Sequence, residues 1–186
     1  MVGTGKWDLT DGFLVIDYDA GSSPLAAVQQ WIVSGRNGGD WLGNGITSSL
    51  AIAANTLYAV GYLDNALLPE AQQLSTFGDV AVDPTSVLVR FTWAADINLD
   101  GLVSDADATI LGATYDNGLT TGRYWWEGDL TGDGKITDAD ATILGALYPR
   151  GAAGAGDPVG LGLATPEPAT LSLLALGGLA LLGRRK

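Results

Sequence analysis

Two stretches of this chain, Asp96 to Asp107 and Asp129 to Asp140, are one twelve-residue pattern written twice, thirty-three residues apart, and each runs into Ala-Thr-Ile-Leu-Gly-Ala. In the first copy, oxygen-bearing side chains occupy positions 1, 3, 5, 9 and 12: Asp96, Asn98, Asp100, Ser104 and Asp107, with Gly101 at position 6. The second copy keeps every place with Asp129, Thr131, Asp133, Thr137 and Asp140, and has Gly134 at position 6. Such a loop bends its backbone sharply at the glycine and turns its odd-numbered donors toward one centre. Two in-register copies that share their helix sequence argue against a mere solvated acidic face.

Oxygen donors in this order suit calcium, a hard cation that takes about six to eight oxygens. We expect two Ca2+ ions. The first is assigned to Asp96, Asn98, Asp100, the Leu102 carbonyl, Ser104 and Asp107, and the second to Asp129, Thr131, Asp133, the Lys135 carbonyl, Thr137 and Asp140. Thr131 offers a hydroxyl at position 3, a poorer ligand than the Asn98 amide, so the second site is expected to be the weaker. Three carboxylates crowded without a counter-ion oppose folding, which couples metal binding to folding.

The repeat extends to both sides of the loops. Phe91 and Trp93 precede the first loop by the same spacing as Tyr124 and Trp126 precede the second. Downstream, Asp105 and Asp138 stand where carboxylates favour a helix N-terminus, and Ile110 with Leu111, or Ile143 with Leu144, gives each helix an apolar stripe. The first ninety residues carry weaker signals. Phe13 to Tyr18, Leu57 to Leu63 and Ser86 to Trp93 read as strands, the last with Val87, Val89, Phe91 and Trp93 on one face. Ser23 as N-cap and Pro24 at the first helical position open a helix with Leu25, Val28, Trp31 and Ile32 on its apolar face, closed by Gly35. Asn37 to Gly45 reads as a loop and Thr47 to Ala54 as a short helix.

Composition narrows the chemistry. A net charge of −12 with only nine Lys and Arg argues against nucleic acid. The chain has no cysteine and no histidine, which removes disulfides, thiolate sites, imidazole metal sites and histidine-based triads. With 47 % apolar residues and six tryptophans, the chain can still build a packed core.

Past residue 150 the chain changes character. Residues 151–165 are a Gly/Ala/Pro linker. Pro166-Glu167-Pro168 then precedes an apolar run from Ala169 to Gly183, and Arg184-Arg185-Lys186 closes the chain. An apolar run followed by cations is the pattern of a segment held in a bilayer with its end in the cytoplasm. At fifteen residues it is short for a spanning helix, which needs roughly 20, and fits a processing signal better.

Two resemblances follow from these residues. The doubled loop from about Phe91 to Arg150, closed by Asp at position 12 and lacking the helix that precedes an EF-hand loop, resembles the type I dockerin domain. That resemblance implies two calcium ions, two antiparallel helices, a cohesin-like protein partner and a polysaccharide-related setting. The positions that read the partner fall on Asp105-Ala106 and Asp138-Ala139, which depart from the hydroxyl-rich pairs common in the family. The tail, residues 166–186, resembles a PEP-CTERM sorting signal, which implies an exported protein, an exosortase-type processing enzyme and membrane association at the cell surface. The residues after Met1 show neither a basic n-region nor an apolar h-region, so the chain reads as the C-terminal piece of a longer exported protein or as one with a misassigned start. The N-terminal region, with Trp7-Asp-Leu-Thr-Asp11 and Gly43-Asn-Gly-Ile-Thr-Ser-Ser49, combined with the doubled loop and this tail, also resembles C-terminal regions of large surface proteins from planctomycete-type bacteria.

The expected fold class is therefore α+β: a small mixed region over 1–90, an all-α calcium-binding pair of loop-helix repeats over 91–150, and a C-terminal apolar helix. The expected function is a non-catalytic, calcium-binding adaptor or structural module of an exported surface protein. Two alternatives stand beside it. One is a carbohydrate-active enzyme fragment using a carboxylate pair from Asp8, Asp11, Asp17, Asp19 and Asp40. The other is a sugar-binding module resting on Trp31, Trp41, Trp125 and Trp126.

Overall fold

A computed structural model describes residues 5–19, 21–53 and 56–150. The sequence Ser-Val-Leu-Val-Arg-Phe-Thr-Trp combines β-branched and aromatic residues, which fit a pleated surface packed on both sides. It forms the central strand β7 (Ser86–Trp93) of a three-stranded antiparallel sheet. Its neighbours are β2 (Phe13–Asp17), with Phe13 opposite Arg90, and β4 (Tyr58–Asp64), with Tyr58 opposite Trp93. Val60, Val87, Leu88, Val89 and Phe91 are fully buried and make this sheet the centre of the core. At its end, the Tyr58 ring lies 4.5 Å from Trp93 in a stack and 4.9 Å from Phe91.

Smaller elements surround the sheet. Strand β1 (Lys6–Asp8) pairs in parallel with β3 (Gly45–Thr47), and β5 (Thr76–Phe77) pairs with β6 (Val80–Ala81) as a short hairpin. Helix α1 (Leu25–Arg36) buries Leu25, Val28 and Ile32 but leaves Trp31 41 % exposed, so Trp31 is not on the apolar face where the sequence put it. Ser23 does accept the Leu25 N–H at 3.2 Å, although the helix runs one residue past Gly35 and stops at Asn37, whose φ is 47°. The glycine-rich stretch holds a short 3-10 turn, Asn37–Gly39, and the expected helix from Thr47 begins later, as α2 (Ser49–Ala53). The loop-helix repeats supply α3 (Asp105–Thr114) and α4 (Asp138–Leu147).

The fold class expected from sequence is corrected by this architecture. The loop-helix repeats are not a self-contained all-α pair. The described residues form one mixed α+β body with seven strands and four α-helices, and all of them fall in one compact unit. The physical reason is shared burial. The first loop starts three residues after β7, and the 3-10 turn Trp125–Glu127, just before the second loop, packs its buried Trp125 against Gly61 of β4. A Cβ at Gly61 would stand 2.6 Å from Leu99 Cδ2 and 2.8 Å from Trp125 Nε1, so sheet and loops meet where only a hydrogen fits. The aromatic pairs before the two loops also differ. Phe91 and Trp93 lie in a strand, whereas Tyr124 and Trp126 flank the 3-10 turn and stack on each other at 4.6 Å with planes 6° apart. The apolar helix expected over the tail lies outside the described residues.

Gly61→Ala should therefore destabilise sheet and repeats together, by about 1–3 kcal/mol. Thermal unfolding followed by far-UV dichroism and by tryptophan fluorescence should show one coincident transition shifted down. Two separated transitions, with only one moved, would contradict a shared core.

Candidate functional site

Each loop is shaped by its own carboxylates. Asp96 leaves β7 through a bond from its N–H to the Trp93 carbonyl at 3.1 Å and is fully buried. Its Oδ1 accepts the Asp100 N–H at 3.0 Å, and its Oδ2 accepts the Gly101 N–H at 2.9 Å and the Thr92 hydroxyl. The second loop repeats this with Asp129, which accepts from the N–H groups of Gly132 at 2.8 Å, Asp133 at 3.2 Å and Gly134 at 2.8 Å. Gly101 and Gly134 have φ of 88° and 80°, which L side chains rarely adopt, and this is what the glycine at position 6 provides.

The position-12 acids hold the loops shut. Asp107, fully buried, accepts the Ile97 and Asn98 N–H groups on Oδ1 at 2.7 and 3.3 Å and the Ser104 N–H on Oδ2 at 2.8 Å. Asp140 does the same with Leu130, Thr131 and Thr137 at 2.9, 3.0 and 2.8 Å. Ser104 and Thr137 in turn accept the Ala106 and Ala139 N–H groups at 3.2 Å, completing a capping box at the start of each helix.

The remaining positions lie toward solvent. Asn98 accepts the Asp100 N–H at 3.1 Å and donates to its carboxylate at 2.9 Å, and Asp100 accepts the Leu102 N–H at 2.8 Å. In the second loop the Thr131 hydroxyl donates to Asp129 at 3.3 Å, and Asp133 accepts the Lys135 N–H at 2.9 Å. All side-chain donors here are oxygens, so the set fits a hard divalent cation such as calcium. Among the described residues, no three His, Cys, Asp or Glu side chains converge as a ready-made metal centre, because the position-12 carboxylates face backbone amides.

Burial leaves these carboxylates electrostatically exposed to one another. Burial pushes Asp96 up to about 7, with Asp100 and Asp107 adding repulsion, and hydrogen bonds from Thr92 and Gly101 opposing the shift. Asp129 is pushed up to about 6 for the same reasons, with Asp140 and Asp133 as its like-charged neighbours. Burial also raises Asp107. Among the described residues, the only ion pairs within 4.0 Å are those of Arg123 with Asp116 and Glu127, so no cation touches either loop's acids.

Several residues that build the site had no part in the loops as read from sequence. Trp125 Nε1 donates to the Asp96 carbonyl at 2.8 Å, joining the second repeat to the first loop. Tyr115 after α3 donates to Asp138 at the start of α4 at 2.6 Å, and Tyr148 after α4 donates to Asp105 at the start of α3 at 2.5 Å. Position 8 of each loop bonds to the chain beyond the opposite helix, Val103 with Arg150 and Ile136 with Gly118. The thirty-three-residue spacing of the two tyrosines, equal to that of the loops, was a readable signal for these crossed bonds.

The alternative sites fare differently. Trp41 and Trp125 are each 3 % exposed, so two of the four tryptophans named for a sugar platform are core. Asp8 serves a turn, accepting the Thr10 and Ser49 N–H groups, both at 2.9 Å, and Asp40 accepts the Leu42 N–H at 2.9 Å. A groove of about 870 Å³ lies between residues 63–74 and α3, with Leu63, Leu67, Ile110 and Trp126 in its wall, and none of Asp8, Asp11, Asp17, Asp19 or Asp40 lines it. The same wall includes Asp105 and Ala106, one of the two pairs assigned to reading a partner, so part of that face is opposite the chain's own residues.

Comparison with known proteins matches residues 164–186 to the PEP-CTERM protein-sorting motif. It contains Pro166, Glu167 and Pro168, which lie outside the described residues. That signal marks an exported surface protein that an exosortase-type enzyme processes and that is anchored at the membrane. Among the described residues no helix is long and apolar enough to cross a membrane. No curated protein and no solved structure matches the chain. The dockerin resemblance and a cohesin-like partner find no support in these comparisons.

Carboxylates raised in the folded state stabilise it fully only below their unfolded values, and that contribution is lost as pH rises through the folded ones. In chelator, the melting temperature should fall between about pH 4 and about pH 7, from the ordinary carboxylate value up to the folded values of Asp129 and Asp96. Asp96→Asn should flatten that fall. Thermal melts across the window check this, and a melting temperature that rises with pH would contradict it.

Proposed function

We propose that this chain is a calcium-stabilised, non-catalytic module of an exported surface protein, with the doubled loop as its metal-binding part. The observation that carries the reading is the pair of position-1 acids, Asp96 and Asp129. Both are buried, both feel the like charge of two further carboxylates, and among the described residues neither has a cationic partner within 4.0 Å. A buried carboxylate needs a paired charge or a metal to offset its lost hydration. A divalent ion in each loop supplies that charge.

In this reading, Asp96, Asn98, Asp100 and the Leu102 carbonyl offer oxygens in the first loop, and Asp129, Thr131, Asp133 and the Lys135 carbonyl do so in the second. Ser104 with Asp107, and Thr137 with Asp140, hold the donors in place by fixing the loop to its helix. Extracellular calcium is abundant enough for sites of modest affinity, on the order of 10⁻⁴ to 10⁻³ M. The role of the metal is then structural: it locks the end of the sheet, both loops and both helices into one body before the membrane-proximal tail. The processing enzyme acts on the tail, and the metal acts on the folded unit.

Calcium should raise the melting temperature of the full chain, by a stability gain of about 2.7 kcal/mol per site at a hundredfold excess over Kd. Asp100→Ala combined with Asp133→Ala should remove the gain while leaving the metal-free melt little changed. Scanning calorimetry with calcium and with chelator makes the comparison, and identical melts in the two would overturn the calcium reading.

A further inference from the structure

The C-terminal end of α1 lies against the second loop. A Cβ built at Gly132, position 4 of that loop, would stand 3.5 Å from Val33 Cγ2 and 3.8 Å from Arg36 Cδ. The stem of Arg36 thus runs beside Gly132, and the residue is half-buried in the last turn of α1. Its guanidinium makes no hydrogen bond and no ion pair within 4.0 Å among the described residues. The acids whose charge supports its own are Asp129, Asp140 and Asp133, three of the second loop's carboxylates. Burial opposes its positive charge and these acids support it.

The first loop is served differently. Arg90 reaches it at the same position 4, but Nη1 donates to the Leu99 carbonyl at 3.1 Å, and the guanidinium carbon lies 5.7 Å from the Phe77 ring centre. That charge is engaged by a carbonyl and an aromatic face, and it fixes the loop's backbone. Among the described residues Arg36 has no such partner.

We infer that Arg36 is a built-in counter-cation of the second loop, steadying its carboxylates without metal and opposing a divalent ion there, so that the two loops bind calcium unequally. This rests on the calcium reading of the loops. A fixed positive charge near a cluster of acids lowers their mutual repulsion at once, and the same charge repels an arriving divalent ion about twice as strongly as it would a monovalent one. The stem's place beside Gly132 holds that charge near the loop, and its partial burial limits screening by salt. The weaker binding that Thr131 alone predicts for the second loop thereby gains a second, separable cause.

The test is calorimetric titration of the full chain with calcium chloride, in an Asp100→Ala background that leaves the second loop as the intact site. Arg36→Gln should tighten calcium binding there roughly ten-fold and lower the metal-free melting temperature, whereas Arg36→Lys should keep both near their starting values. The two readouts move in opposite directions, which loss of packing alone does not produce: a merely structural arginine gives a lower melt with unchanged or weaker binding. If Arg36→Gln does not fold, Arg36→Met, which keeps an apolar stem against Gly132, carries the same expectation. Calcium binding that Arg36→Gln or Arg36→Met leaves unmoved overturns this inference alone. Absence of binding heat in the wild-type chain overturns the calcium reading and this inference with it.

Discussion

The structure depends on how Asp96 is buried at the end of β7. One carboxylate accepts from Thr92 in the strand it has just left and from the Asp100 and Gly101 amides of the loop it begins, while its own carbonyl accepts from Trp125 of the second repeat. Sheet, first loop and second repeat therefore meet at one residue. A charge so placed is costly without compensation, and the hydrogen bonds it gathers offset only part of its lost hydration. The loops follow from that constraint. Glycine stands where the chain must turn around the carboxylate, and a position-12 acid folds back to satisfy the amides that the turn leaves open.

Much of this was legible in the chain. The strands at Phe13, Tyr58 and Ser86, the helix after Pro24 and both loop-helix units could be read because apolar periodicity, turn glycines and capping residues agreed locally. The residues that did not follow their local pattern were those decided by distant partners. Trp31 fell on a helical apolar stripe yet is solvent-facing, and β1 and β3, three residues each, exist because they pair with each other. Residues 65–85 gave little signal, since Asn65 organises them through side-chain bonds to the backbone of Leu74 and Asp83.

The larger error came from treating a repeat as a domain. Sequence identity between the two loops pointed to a symmetric all-α pair, and the crossed bonds of Tyr115 with Asp138 and Tyr148 with Asp105 do relate the two helices reciprocally. What identity between repeats does not encode is what each repeat rests on. The first grows out of a buried strand and the second out of a 3-10 turn that fills the space above Gly61, so the repeats close the end of the sheet together. Asymmetry enters through the same route. Arg36 belongs to neither repeat, and its position against the second loop was invisible until α1 was placed.

These features describe a unit whose folded core, acidic loops and sorting tail serve different ends: the tail addresses the protein to the surface, and the loops join the end of the sheet to both helices. The most direct test is a proton–nitrogen NMR titration of the full chain with calcium, followed at the Gly101 and Gly134 amides, which donate to the two buried position-1 acids. The account predicts that both amides shift with added calcium, Gly101 at lower concentration than Gly134, while the amides at the Asp17 end of β2, opposite Ser86 at the other end of β7, stay put. A titration in which neither glycine moves would contradict it.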